Sequence, residues 1–430
     1  MFANLRFLVC FCAMAGTACR EIEPVASEET RDRPAETRVL AAEGRANATP
    51  YAASRGDFVA VVWSASGEGA TDLFLATSQD GGRSFSPPLR VNDVPGDVNV
   101  YGEQPPRVAL GTEAPARLYV TWTSADPEKE LSFLRFARSL DGGRSFEPAV
   151  TLHPPDLAGS RGWHSLVVSP TGEVHSLWLD ARPRSAGSIF DSLLPTAHAH
   201  EHEAGMGLYH LVWDGGAPPE ARRLFEPVCE CCKTAMAVGK DGNVYAAWRH
   251  IYKDNYRDIA FAVSRDGTGF GDAVRVNEDG WQINGCPDDG PSMVVDRSNR
   301  AHLIWPTLVH DKMDMGIFHA STADGVSFSP RSPLPNAGGM DPSHPQLALD
   351  GSGRLAAVWD EVVEKKRRVV FSRAVLAVDG AASWSEPELL DDGAGSSASY
   401  PVVAASGSGV LVAWTQQTGD ESVIRVRRIE

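Results

Sequence analysis

Seven times along the chain, a short apolar run, a polar turn and a second apolar run ending in tryptophan follow one another. The copies read AASRGDFVAVVW to Trp63, VALGTEAPARLYVTW to Trp122, LVVSPTGEVHSLW to Trp178 and MAVGKDGNVYAAW to Trp248. They continue with MVVDRSNRAHLIW to Trp305, LALDGSGRLAAVW to Trp359 and VVAASGSGVLVAW to Trp414. The intervals between these tryptophans are 59, 56, 70, 57, 54 and 55 residues. Apolar runs on either side of Gly, Asp or Asn predict a β-hairpin in each copy. Short strands recurring at this period predict an all-β repeat architecture, a β-propeller. A repeated tryptophan could serve as a stacking platform, but its place at the end of every inner strand pair points to packing between blades.

Beyond each tryptophan come a polar loop, a third strand such as DLFLATS or LSFLRFARS, and a second signature. That signature is SQDGGRSF at Ser78–Phe85 and SLDGGRSF at Ser139–Phe146, with altered forms at Ser264–Phe270, Thr322–Phe328 and Ala377–Trp384. It suits a tight turn: Asp bonds its own turn backbone and Gly accepts a positive φ. The segments resemble the Asp-box, or BNR repeat, of the sialidase-like propellers, whose pattern is Ser-x-Asp-x-Gly-x-Thr-Trp. Two copies match closely and three are degraded. The resemblance implies fold rather than chemistry, because one fold hosts unrelated activities.

Six repeats carry four strands each, while the seventh stops after three. The segment ETRVLAAEGRANATPYAA aligns with the outer strand and following loop of the first repeat. A strand at about Thr37–Ala42 is therefore expected to complete the last blade and close the ring, which removes sheet edges. The expectation is one seven-bladed propeller over residues 37–430. Sialidases of the resembled family have six blades, and a six-bladed fold is the alternative.

The chain starts with one basic residue, Arg6, an apolar run from Phe7 to Ala15, and small residues before Cys19. That is the layout of a secretory signal, too short to span a bilayer. A cysteine directly after small residues resembles the bacterial lipobox, so Cys19 is the expected lipidation site of an envelope lipoprotein; a secreted or periplasmic protein is the alternative. Residues 20–36, charged and free of aromatics, read as a solvated tether. The expected membrane contact is the lipid anchor alone, and the expected state is a monomer. A net charge of −16 argues against nucleic acid as a partner.

With strands A to D counted outward from the channel, the D-to-A and B-to-C loops emerge on one face. Cys229, Cys231 and Cys232 lie in the loop entering blade four, and Trp281 and Cys286 in the loop entering blade five. Arg249, His250, Arg257 and Asp258 follow strand B of blade four; Asp180, Arg182, His198, His200 and His202 follow strand B of blade three. The A-to-B turns of the opposite face are plain KDGN, RSNR and GSGR. Chemistry is thus expected on one rim over adjacent blades.

The four propeller cysteines admit three readings. They form disulfides, at least one tying blade four to Cys286; they hold a soft metal, copper or zinc; or they include a redox-active thiol. His198, His200 and His202, at alternate positions, would share one face of an extended segment as metal ligands, or lie in an inserted loop with no such role.

The sialidase resemblance implies a three-arginine grip on a carboxylate, a Tyr nucleophile paired with a Glu, and an Asp acid/base. The family's Phe-Arg-Ile-Pro motif is absent, the corresponding stretch reading ANATPYAASRG. Arg182, Arg249, Arg257, Asp180 and Tyr400 are the candidates such chemistry would have, though none matches a family motif. Arg257 and Asp258 also read as an ion pair bracing a long loop.

The segments WLDAR, GMGLY, CECCKTA, WRH…YRDIA and EDGWQINGCPDDGP resemble secreted bacterial proteins labelled exo-alpha-sialidase, a label that follows their Asp-boxes and secures no activity. The expected function is binding of a small anionic or glycan ligand, or a soft metal, over blades three to five. Arg182, Arg249, His250, Arg257, Asp258 and Trp281 would line that site. An exo-acting glycoside hydrolase of exo-α-sialidase type and a structural propeller with disulfide-stapled loops are the rivals.

Overall fold

A computed structural model describes residues 37–126, 131–154, 158–182, 206–213, 219–283, 285, 287–309, 314–391, 393 and 395–430. The expected signal, tether and Cys19, the histidines His198, His200 and His202, and Cys286 lie outside the described residues.

Seven antiparallel sheets make up the fold, six with strands in simple sequence order and the seventh joining the two ends of the described chain. The inner strands are Ala46–Arg55, Arg107–Leu110, Arg161–Val168, Ala235–Val238, Ser292–Val295, Met340–Leu349 and Ser397–Ser406. They touch one another in cyclic order, the last packing on the first, so they wall a central channel. In the last blade Thr37–Leu40 pairs antiparallel with Glu421–Ile429, with Thr37 opposite Arg427 and Leu40 opposite Ile424. Blade six carries an additional short outer strand, Glu388–Leu389. The only helical segment among the described residues is a 3-10 turn, Lys253–Asn255. None of the described helices is long and apolar enough to cross a membrane.

Each second strand is sandwiched between neighbouring blades, which is why it is apolar on both faces rather than alternating. Val59, Val61 and Trp63 pack towards blade seven, while Ala60 and Val62 pack towards blade two. All seven repeat tryptophans are buried. Six of their indole N–H groups donate to a side chain. In four blades the acceptor stands two residues further on: Asp180 (2.9 Å), His250 (3.4 Å), Glu361 (2.7 Å) and Gln416 (2.8 Å). Asn47 and Asp279 serve Trp63 and Trp305 from elsewhere in the fold.

The Ser78–Phe85 segment forms the expected tight turn. Asp80 Oδ1 accepts from the Ser84 amide at 2.9 Å, and Ser78 Oγ accepts from the Gly82 amide at 2.8 Å. Gly82, at φ 85°, cannot carry a side chain: a Cβ there would stand 2.2 Å from Leu411 of blade seven. The turn therefore also sets the spacing between two blades.

Candidate functional site at the channel mouth

Where the inner strands begin, several bend into left-handed backbone. Thr49, Trp163, His344 and Tyr400 have φ between 50° and 56°, and three of them precede proline. Non-glycine residues there cost of order 1–3 kcal/mol each and persist only where surrounding contacts impose them. The register of four inner strands shifts at the same places.

His344 is buried and sits between two carboxylates. Its Nδ1 lies 2.7 Å from Asp360 Oδ2, and its Nε2 makes a short contact with Glu103 Oε1. Its amide donates to Asp289 Oδ2 at 2.6 Å, and Asp289 Oδ1 pairs with Lys233 Nζ at 2.7 Å. Tyr400 stacks obliquely on the His344 ring, centroids 4.4 Å apart, and its amide donates to Asp360 at 2.9 Å. Arg367 completes the cluster by pairing with Asp360 and with Asp341. Blades two, four, five, six and seven thus contribute to one connected array.

Burial opposes charge on His344, but Asp360 and Glu103 outweigh it and lift its pKa to about 10, so the ring is an imidazolium at neutral pH. Burial raises the Glu103 pKa, partly offset by His344. Asp289 is held below the ordinary carboxylate range: burial acts against this, but Lys233 and His344 prevail. The Tyr400 phenol is pushed up by burial and then by Glu103 and Asp360. One acceptor is left over, since Glu103 Oε2 is buried without a hydrogen-bond partner.

Space in the channel is narrow. A cavity of about 40 Å3 is lined in part by Arg107, Thr234, Ser292, Lys233 and Gln346, and one of about 20 Å3 by Glu103, His344, Tyr400, Lys233 and Gln346. These volumes suit ordered water. A larger cleft, about 720 Å3, lies between the turns of blades one and two, lined by prolines, Phe58, Phe85 and Arg144. It gathers no array of titratable groups, so chemistry and room are in different places.

The candidates from the sequence fall into two further groups. Arg249 is fully buried and donates to the carbonyls of Asp289, Arg257 and Pro306 while lying over the Trp281 ring at 4.7 Å. Arg182 pairs with Asp180 at 2.5 Å and lies 4.1 Å over Tyr209; Asp180 is also bonded by Arg161. Asp180 and His250 are the indole acceptors of their own blades. Asp258 pairs with Arg275, not with its neighbour Arg257, whose guanidinium donates to Asn255 and, at 3.4 Å, to Cys229 Sγ. Each of the three arginines is therefore committed to a different partner.

Cys229, Cys231 and Cys232 are buried beneath Trp163. Their sulfurs lie within 4.8 Å of one another, a spacing that would suit a soft ion. Cys231, however, is disulfide-bonded, and a disulfide sulfur is not a thiolate donor. Cys229 and Cys232 are free, with sulfurs 2.8 Å apart. The hydrogen bond from Cys232, aided by Arg249 and Arg257 against burial, lowers the Cys229 pKa to about 6. Burial and the neighbouring Cys229 push the Cys232 thiol well up.

Glu103, Lys233, Asp289, His344, Asp360 and Arg367 were not among the sequence candidates. The available signal was a proline at one place in five blades: Pro50, Pro106, Pro291, Pro345 and Pro401 each precede the residue paired just ahead of the repeat tryptophan.

No protein-family model matches the chain, and no curated protein matches it. Solved structures do. An ulvan lyase bound to a GlcA(1-4)Rha3S glycan is 8% identical, with TM-score 0.59 over 90% of this chain and 94% of its own. A protein of unknown function from Dyadobacter fermentans is 14% identical, with TM-score 0.51 over 92% and 98%. A leech intramolecular trans-sialidase is 10% identical, with TM-score 0.49 over 86% and 83%. What is shared with the first two, at such identities, is the fold alone.

Proposed function

We propose that this propeller binds a glycan on the rim of the channel mouth, with a single sugar hydroxyl taking the place of water in the small cavity lined by Glu103, His344, Lys233 and Tyr400. The observation that carries the reading is His344, held as a cation between Glu103 and Asp360 and set against Tyr400 on strained backbone. Sugar hydroxyls need acceptors and an aromatic surface, and the mouth offers the spare Glu103 oxygen beside the Tyr400 ring. The ulvan lyase of similar fold is a glycan-bound protein, which is in keeping with this reading. An anionic ligand over blades three to five is less well supported, because Arg182, Arg249 and Arg257 already have partners. We place the protein at the bacterial envelope on the strength of its leader and Cys19.

Titration calorimetry against neutral and sialylated oligosaccharides tests the proposal. Binding of a neutral glycan is expected, weakened at least tenfold by Glu103→Gln and by Tyr400→Phe. Binding indifferent to both substitutions would exclude this mouth as the site.

Sialoside hydrolysis is a second reading with one observation in its favour: Tyr400 and Glu103 line the same small cavity, as the Tyr–Glu pair of a sialidase would. A fluorogenic sialoside should release no signal, because Arg182, Arg249 and Arg257 are each engaged with other partners. Turnover abolished by Tyr400→Phe would reverse the order of the two readings.

A further inference from the structure

The dithiol beneath Trp163 is chemically distinct from the channel mouth. We propose that Cys229 and Cys232 are a two-electron redox couple that takes hydrogen peroxide as its oxidant and closes to a Cys229–Cys232 disulfide. Their spacing in sequence is Cys-x-x-Cys, and their sulfurs already lie 2.8 Å apart. Cys231, 3.9 Å from Cys229, is held in another disulfide and is not the resolving partner.

The surroundings divide the two roles. Arg257 Nη1 donates to Cys229 Sγ, and the Cys229 amide is fixed by the Arg249 carbonyl at 3.0 Å, so Cys229 is the sulfur kept as thiolate. Cys232 receives no such donor among the described residues and remains the thiol. Both residues are only 1% exposed, which bars a protein disulfide and leaves a small oxidant.

In the first step the Cys229 thiolate attacks one peroxide oxygen, the O–O bond breaks, and the departing hydroxide takes from solvent the proton that Cys229 gave up on ionising and becomes water. Cys229 is now a sulfenic acid. In the second step the Cys232 sulfur attacks Cys229, the S–O bond breaks, and the leaving hydroxide takes the Cys232 proton as a second water. Two thiols are oxidised and one peroxide is reduced to two waters. This inference does not rest on glycan binding.

The test uses the full chain, treated with hydrogen peroxide, denatured, alkylated with N-ethylmaleimide and digested with trypsin. The peptide Leu224–Lys233 should carry an adduct on each of its two free thiols before treatment and on neither afterwards, without sulfinic acid. In Cys232→Ser, Cys229 should instead accumulate as a sulfenic acid trapped by dimedone. The wild-type measurement stands alone if that variant does not fold. The proposal is overturned if both thiols still alkylate after peroxide. It is equally overturned if they are blocked beforehand and released by a chelator, the mark of a bound metal.

Discussion

His344 and Tyr400, on neighbouring blades, are fixed by a single oxygen: Asp360 Oδ2 lies 2.7 Å from His344 Nδ1 and accepts the Tyr400 amide at 2.9 Å. Both residues stand in left-handed backbone before a proline, so one buried carboxylate holds two strained positions in place. Removing its charge leaves His344 and Arg367 without their common counter-ion. Breaking a buried pair from one side costs about 3–5 kcal/mol. Asp360→Asn should therefore lower unfolding free energy in urea by about 3 kcal/mol, by that comparison with buried pairs. A loss smaller than that of an exposed pair would show that the array does not constrain the mouth.

The charge on His344 sets a pH dependence with a definite sign. Its folded pKa, about 10, lies above the ordinary histidine value of about 6.5. The stabilisation from its protonation is complete below about 6.5, where the unfolded chain binds the proton too. It declines as pH rises and is gone beyond the folded pKa. Melting temperatures of wild type and His344→Gln should differ most near pH 6 and converge towards pH 10. A gap that widens with alkalinity would mean that the ring is neutral in the folded protein.

Gly102, in the loop entering blade two, sets the position of the Tyr400 phenol. A Cβ at residue 102 would stand 1.9 Å from the ring and 2.3 Å from its hydroxyl oxygen. Gly102→Ala should push Tyr400 off His344 at a cost of about 1–3 kcal/mol, as overpacking does. The proposed glycan should bind at least tenfold more weakly, read by calorimetry. Full affinity in this variant would separate Tyr400 from binding.

The repeat tryptophans are not equivalent. Trp359 donates to the buried carboxylate of Glu361, whereas the buried Trp122 indole has no acceptor among the described residues. Replacement by Phe removes similar apolar area at both, but only in blade six does it strip a buried carboxylate of a donor. Trp359→Phe should cost about 1–3 kcal/mol more than Trp122→Phe in urea unfolding. Equal costs would mean that indole hydrogen bonding adds nothing to blade packing.

The seven blades were legible because their signals are local: a hairpin, its turn residues and a tryptophan recur within each repeat. The mouth was not, because Glu103, Lys233, Asp289, His344 and Tyr400 come from five blades and meet only when the ring is formed. Arg249 looked like a ligand-binding residue in a polar loop. Only the packed structure shows its donors spent on three carbonyls. The pairing of Asp258 with Arg275 has a simpler cause, since adjacent residues of an extended segment point to opposite sides. Asp180 and His250 follow the same rule from the other direction: standing two residues after a tryptophan, they share its side of the strand and take its indole proton.

Thr37–Leu40 supplies the outer edge of blade seven, and its loss makes the final prediction. Leu40 is buried with Val402, Leu411 and Ile424 in the cluster that also holds Trp63, so this strand belongs to the seam between blades seven and one. Deleting residues up to 42 would strip Glu421–Ile429 of its hydrogen-bonded neighbour and leave an unpaired edge, a template for intermolecular pairing. It would also uncover Asn47, whose side chain bonds the backbone of Ala42 and accepts the Trp63 indole N–H. Light scattering on heating should then show aggregation at a lower temperature than for a chain that starts at residue 35. A truncated chain as stable as the longer one would mean that three strands suffice for the seventh blade, and that this pairing adds nothing to the closure of the ring.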